Sequence, residues 1–278
     1  MKRAHLLAAT LILSGAASAA EIGPTDDIRA AIAALQPGDT LDLRGGTYVL
    51  NSSFRIGPVG TAANPIIVRS KAGEHAHIRQ DNLNQNVIEV SNAQFFVLQN
   101  IEFSGGSVGI RLMTSSDVTI QDCDVHDTGD VAVSANSGGT YQRLKILHNH
   151  IHNTNGTGEG MYLGCNDDVC RVADSLIEGN HVHHTNGPTV EQGDGIELKE
   201  GSSGNIIRNN VVHDTNYPGI ITYSTRGNGP ANVIEGNFIY HTNDYAIQSA
   251  ADSTIRNNIV LGTIGLQAHQ SGSPSNQR

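Results

Sequence analysis

The chain of 278 residues has no tryptophan, 4% aromatic residues, three methionines and three cysteines. So few rings weaken any reading as a pure binding module built on stacking platforms. Basic residues are also scarce, 17 against 27 acidic, for a formal charge of −10. That sign argues against nucleic acid. It also gives no general attraction for an anionic polymer, so an acidic substrate must be met by local cations or a bound metal. After the first twenty residues no run is apolar enough for a membrane helix. No segment of the repeat region keeps a 3.6-residue period between its glycines, which argues against a helical solenoid. Of the three cysteines, Cys165 and Cys170 flank a short acidic loop where an exported chain can form a disulfide. Cys123 reads as a buried apolar residue.

The N-terminus carries Lys2 and Arg3, an apolar stretch from Leu6 to Leu13, and the small residues Ala17-Ser18-Ala19. This predicts a signal peptide over residues 1–20 and a secreted or periplasmic product with no membrane span. Residues 21–278 then suit one large domain. Repetition organises it. Val125-His126-Asp127-Thr128 is echoed at Ile151–Thr154, Val182–Thr185, Val212–Thr215, Ile239–Thr242 and Val260–Thr263. Five residues before each threonine stands Cys123, Asn149, Asn180, Asn210, Asn237 or Asn258. The threonines are 26, 31, 30, 27 and 21 residues apart, as loops of varying length on a constant coil would give.

A second register opens short alternating strands at Gly109-Ile110, Gly160-Met161, Gly195-Ile196, Gly219-Ile220 and Ala246-Ile247. In Gly195-Ile196-Glu197-Leu198-Lys199, alternation points Ile196 and Leu198 inward and Glu197 and Lys199 outward. Strands this short bury an apolar face only by stacking on equivalent coils. The predicted fold is therefore all-β: a single right-handed parallel β-helix with an asparagine ladder inside. Residues 24–36, with Ile28, Ala31, Ile32 and Leu35 on one face and Thr25 or Asp26 as cap, are read as an N-terminal capping helix. Gly265–His269 looks like a further strand. No cap is evident in the tail to Arg278, which folds over the last coil, is covered by a partner, or belongs to a fragment.

Pro37-Gly38-Asp39-Thr40-Leu41-Asp42-Leu43 and Gly46-Thr47-Tyr48 resemble the opening segment of many pectate-lyase-like β-helix proteins. Gly60-Thr61-Ala62-Ala63-Asn64-Pro65-Ile66-Ile67-Val68-Arg69-Ser70 resembles the following segment of the alginate lyase and chondroitinase B type of polysaccharide lyase. Ile196-Glu197-Leu198-Lys199 followed by Ser202-Ser203-Gly204-Asn205 is similar to the family's Ile-x-x-Lys strand and turn. The resemblance implies Lys199 as the catalytic base. The place of the family's partner arginine falls at Tyr223-Ser224, with Arg226 two residues on. The motif sets of polygalacturonases and of alginate epimerases are absent.

Aligning the outward positions sets Lys199 beside Tyr223 on the next coil, about 4.8 Å away. It puts Glu197 in a column with Tyr162, Gln248 and, two coils before Tyr162, Arg111. The loops Asn155–Gly158 and Asn186–Gly193 wall this strip into a groove of the kind that holds a linear polymer. Cleaving a uronate-containing polysaccharide by β-elimination needs a neutralised carboxylate, a base and an acid. Lys199, Tyr223 and Arg226 or Arg111 are the candidates for base, acid and clamp, with Tyr162, Glu197 and Gln248 as substrate contacts. Against this, Glu197 favours the charged form of Lys199, and a surface Lys–Glu pair is the plain alternative.

Asp194 and Glu159, with Glu197, are candidate calcium ligands, although no closed ligand motif is visible and solvated acids at loop ends explain them as well. The same acids permit hydrolysis by a carboxylate pair. A non-catalytic β-helix for glycan binding or cell-surface structure is the reading from a different class. The column His126, His152, His183 and His213, with His148, His150, His181 and His184 nearby, follows from repeat-driven stacking, or holds a transition metal between pairs of rings.

Overall fold

The computed structural model describes residues 19–249 and 253–261. The expected leader lies almost wholly outside these residues, as do the expected strand at Gly265–His269 and the tail. Short strands stack into three long sheets of ten, eight and nine strands. Their pairing is parallel throughout, as at Ile177↔Ile207, Ile196↔Ile220 and Val182↔Val212. No helix among the described residues is long and apolar enough to cross a membrane.

Each coil closes on two devices visible in the repeat. Among the described residues, the one before each repeat threonine is left-handed, with φ of 50–56° at Asp127, Asn153, His184, Asp214 and His241. Asn and Asp tolerate this conformation better than most residues and turn the chain sharply. The threonine hydroxyl then acts as a clasp, donating to a carbonyl at the far side of the loop. Thr128 reaches Asp130, Thr185 reaches Gly193, Thr215 reaches Tyr217, and Thr154 makes a very short contact with Gly158.

The asparagine ladder is present as expected. The Asn180 amide donates to Ile146 O at 2.8 Å and to Asn210 Oδ1 at 2.9 Å. Its own Oδ1 accepts from the backbone N–H and side-chain amide of Asn149. The pattern continues through Asn237 to Asn258. Cys123, buried, begins the column by donating its backbone N–H to Asn149 Oδ1. A second, shorter ladder joins Asn205 to Asn232. Beside the first ladder, Val125, Ile151, Val182, Val212 and Ile239 stack with no exposure.

The glycines that open the second register are demanded by coil-to-coil approach. A Cβ on Gly195 would lie 2.4 Å from Gly219 O and 2.5 Å from Val212 Cγ1. At the N-terminus the helix is shorter than the predicted 24–36, spanning Ile28–Ala33. Its cap is Asp27, whose carboxylate accepts from the N–H of Arg29 and Ala30. Asp26 is instead spent on the preceding turn, accepting from Gly23 N. Ile28 and Ile32 are buried beneath the helix, as expected of a plug. Cys165 and Cys170 form a disulfide across the Asn166–Asp168 turn.

Candidate active site

The eight-stranded sheet carries the polar strip. Its register sets Arg111 against Ser134, Ser134 against Tyr162, Tyr162 against Glu197, Glu197 against Ile221 and Ile221 against Gln248. The expected column is therefore real, with Ser134 filling the coil between Arg111 and Tyr162. That coil begins Ala132-Val133 rather than Gly-Ile, and the substitution hid it from the repeat pattern.

Lys199 and Glu197 face away from the coil interior, but they are not a surface pair. Lys199 is 5% and Glu197 2% exposed. The Lys199 ammonium lies 2.5 Å from Glu197 Oε1, 4.6 Å from the centre of the Tyr162 ring and 4.9 Å from that of Tyr223. Gly164 permits this seat, since a Cβ there would meet Lys199 Cβ at 3.0 Å. Glu159 and Asp194 are buried as well, so the alternative of solvated loop-end acids is corrected. One carboxylate oxygen from each of Glu159, Asp194 and Glu197 lies within 4.8 Å of the others. Glu159 Oε1, Asp194 Oδ1 and Glu197 Oε2 are buried without a hydrogen-bond partner.

These surroundings set the protonation states. Burial raises Glu197 to about 7, although Lys199 opposes the shift. Burial and then the neighbouring Glu197 carboxylate raise Asp194 well above the usual range, and burial raises Glu159. For Lys199, burial works downward, but Glu197 overrides it and the net direction is up. Burial raises both tyrosines; the Tyr162 hydroxyl donates to Asn166 Oδ1 at 3.4 Å, and its ring lies under the Lys199 ammonium.

A cavity of about 300 Å³ opens over the strip. Arg111, Ser134, Asn136, Glu159, Tyr162 and Lys199 line it, with Thr157 and Gln192 contributed by the two long loops. The Thr157 hydroxyl bridges Asp130 and Glu159 at 2.7 Å each. Arg226 is not part of this assembly; it is exposed, with Nη1 3.5 Å from Asp167 O. Gln248 is buried two coils beyond Glu197, with Ile221 between them. A larger cavity, about 470 Å³, lies on the ten-stranded face, but its Arg143 and Asp117 are paired with each other and no buried acids converge there.

On the nine-stranded sheet the histidines of the repeat do stack. His126, His152, His183 and His213 lie with adjacent ring centres 4.9–5.2 Å apart. Burial and the surrounding imidazoles lower His150 and His181 and bring His183 to about 3.

A right-handed β-helix with one loop-walled groove, at whose floor a buried lysine meets several acids, defines the class. The chain belongs to the family described as Pel9A-like, right handed beta helix region, which matches residues 13–254. It is 26% identical over 200 residues to pectate lyase PEL9 of Emericella nidulans, across 66% of this chain and 41% of that protein. The chain thus spans less than half the length of that curated relative. Among solved structures, an alginate lyase from Paenibacillus sp. str. FPU-7 superposes with a TM-score of 0.67 at 21% identity, covering 87% of this chain and 95% of that one. Pectate lyase Pel9A gives a TM-score of 0.61 at 14% identity, covering 89% and 79%. Both likenesses establish the β-helix fold expected from the repeats.

Proposed function

We propose that this protein is an exported polysaccharide lyase that cleaves a uronate-containing polymer by β-elimination in the groove around Lys199. The observation that carries the reading is the buried Lys199 ammonium, held between Glu197 and Tyr162 and opening into the same cavity as Arg111. Arg111 would pair with a substrate carboxylate and make the adjacent C–H more acidic. Lys199 would take that proton as a neutral amine. Glu197, 2.5 Å away, favours the charged form of Lys199 and so opposes this step; positive charge brought against Glu197 would offset that pull. Tyr162, which lines the cavity, would then protonate the leaving oxygen. This moves the acid role from Tyr223, which is not among the residues lining the cavity. Arg226 has no part in the step.

Glu159, Asp194 and Glu197 also suit a hard divalent cation such as calcium, because each offers a buried oxygen without a partner. Calcium held by these three would supply positive charge to neutralise a substrate carboxylate. Hydrolysis by an inverting carboxylate pair fits less well, since such pairs stand about 6.5–9.5 Å apart, whereas these acids offer oxygens within 4.8 Å of one another. The pectate and alginate lyases among the similar proteins support uronate polymers as the substrates to try first. The test is ultraviolet absorbance of unsaturated products on pectate, alginate and glycosaminoglycan panels. Turnover on at least one, abolished in Lys199→Ala and strongly reduced in Tyr162→Phe, is expected. Absence of unsaturated product from every uronate polymer that the protein binds would overturn the proposal.

A further inference from the structure

The nine-stranded sheet holds a second concentration of titratable groups, apart from the groove. The stacked column of His126, His152, His183 and His213 is joined by another, His150 and His181, two residues earlier in their strands, with rings 5.3 Å apart. Residues two apart share a sheet face, so the two columns interleave. Nε2 of His150 comes 2.7 Å from Nε2 of His183, and Nε2 of His181 comes 2.8 Å from Nε2 of His213.

Carboxylates fix the tautomers behind these contacts. Nδ1 of His150 faces Asp124 Oδ1 at 3.4 Å, and Nδ1 of His213 faces Asp214 Oδ2 at 2.7 Å. An ionised carboxylate can only accept, which assigns the proton to Nδ1 and leaves a lone pair on Nε2. Repeat-driven stacking explains rings lying one above another. It does not explain nitrogens converging in pairs with acids behind them. That arrangement is the one in which carboxylates orient metal-binding imidazoles.

We propose that this face binds one divalent first-row transition-metal ion, of the zinc or cobalt type, through the imidazole nitrogens of His150, His181 and His183. One nitrogen from each lies within 4.8 Å of the other two. Tetrahedral bonds of about 2.0–2.1 Å need nitrogens about 3.3 Å apart, so the rings adjust by about 1 Å or less each. All three rings are half-buried rather than locked in the core, which allows that adjustment. Nitrogen donors select this class of ion over calcium or magnesium. On binding, the proton shared between His150 and His183 moves from Nε2 to Nδ1 of His183, and the exposed His184 shifts its own proton from Nδ1 to Nε2 so that its Nδ1 can accept. A second set, Asp124, His150 and His152, shares His150 with the first, so one ion is held and not two. The ion ties strand His150–His152 to strand His181–Thr185 on the next coil.

The test uses the full chain without a polyhistidine tag, stripped with a chelator and titrated with Co²⁺ by visible absorption, then competed with Zn²⁺. One equivalent with tetrahedral d–d intensity, displaced by Zn²⁺, is expected. His150→Gln and His183→Gln should each weaken binding at least about tenfold, and Asp124→Asn about tenfold through the orientation of His150. His148→Gln, at an exposed ring outside the set, should leave affinity unchanged. Full affinity in the His150→Gln/His183→Gln double variant overturns the proposal. So does loss of binding in Glu197→Gln, which places the ion among the groove acids. Acylation of histidines in the unaltered protein, read by mass spectrometry, needs no variant: Zn²⁺ must protect His150 and His183, and equal labelling with and without the ion also overturns the site.

Discussion

Replacing Lys199 by methionine removes the ammonium while keeping an unbranched stem of similar length, which isolates its charge. Were Lys199 an exposed partner of Glu197, stability would hardly respond. It is instead 5% exposed, against a carboxylate 2% exposed, with Glu159 and Asp194 close by. Removing one member of a buried pair costs about 3–5 kcal/mol, because the remaining charge stays desolvated. For a domain of this size that is a fall in Tm of about 6–20 °C. The orphaned carboxyls can escape by taking protons, so the loss should be largest near pH 8 and much smaller near pH 5. Adding Glu197→Gln to Lys199→Met removes the most exposed consequence, an unpaired charge, and should recover part of the stability. Turnover should remain absent in both proteins. Thermal unfolding followed by circular dichroism at the two pH values measures all of this. A Lys199→Met protein as stable as the parent at pH 8 would refute the buried-cluster reasoning, whatever its activity.

In the unsubstituted protein, Glu197 is raised from 4.5 to about 7, so the folded state holds a proton that the unfolded chain has released. Stability from this group is therefore present below about pH 4.5 and is lost as pH rises to about 7; calcium should flatten that slope if the three acids hold it, and an unchanged slope would count against calcium there. Asn180→Leu removes donors to Ile146 O and Asn210 Oδ1 and the acceptor for two Asn149 N–H groups. It should cost about 2–4 kcal/mol in denaturant unfolding, against about 1 kcal/mol or less for His183→Leu. A greater loss at His183 would mean that inward and outward faces are exchanged.

The coil architecture was legible because each of its devices demands a particular side chain. An amide is needed to donate up and down the ladder, so Asn180 and Asn210 repeat. A hydroxyl is needed to clasp each loop, so Thr185 and Thr215 repeat. The groove's polar column could be read from the same alternation, which correctly aligned Arg111, Tyr162, Glu197 and Gln248. What alternation cannot report is how much neighbouring coils and loops cover an outward side chain. Lys199 and Glu197 were therefore read as outward without their burial being foreseen, and Arg226 was credited with a place that its turn does not give it. Ser134 went unnoticed because its coil lacks the Gly-Ile opening. His150 and His181 stand out in the sequence only as neighbours of the histidine column and not as a column of their own, because they occupy two adjacent coils alone.

The threonine clasp is indifferent to how much chain it encloses. Thr215 reaches a carbonyl two residues on, Thr185 one eight residues on. Lengthening an enclosed segment costs little entropy, about 0.6 kcal/mol for each doubling. Insertions and deletions there neither slip the strand pairing nor disturb the coils above and below. Natural variation, or deliberate grafting, can therefore reshape the wall between Thr185 and Gly193 while Lys199 and its neighbours stay where they are. Polymer preference could then diverge among relatives faster than the chemistry at the groove floor.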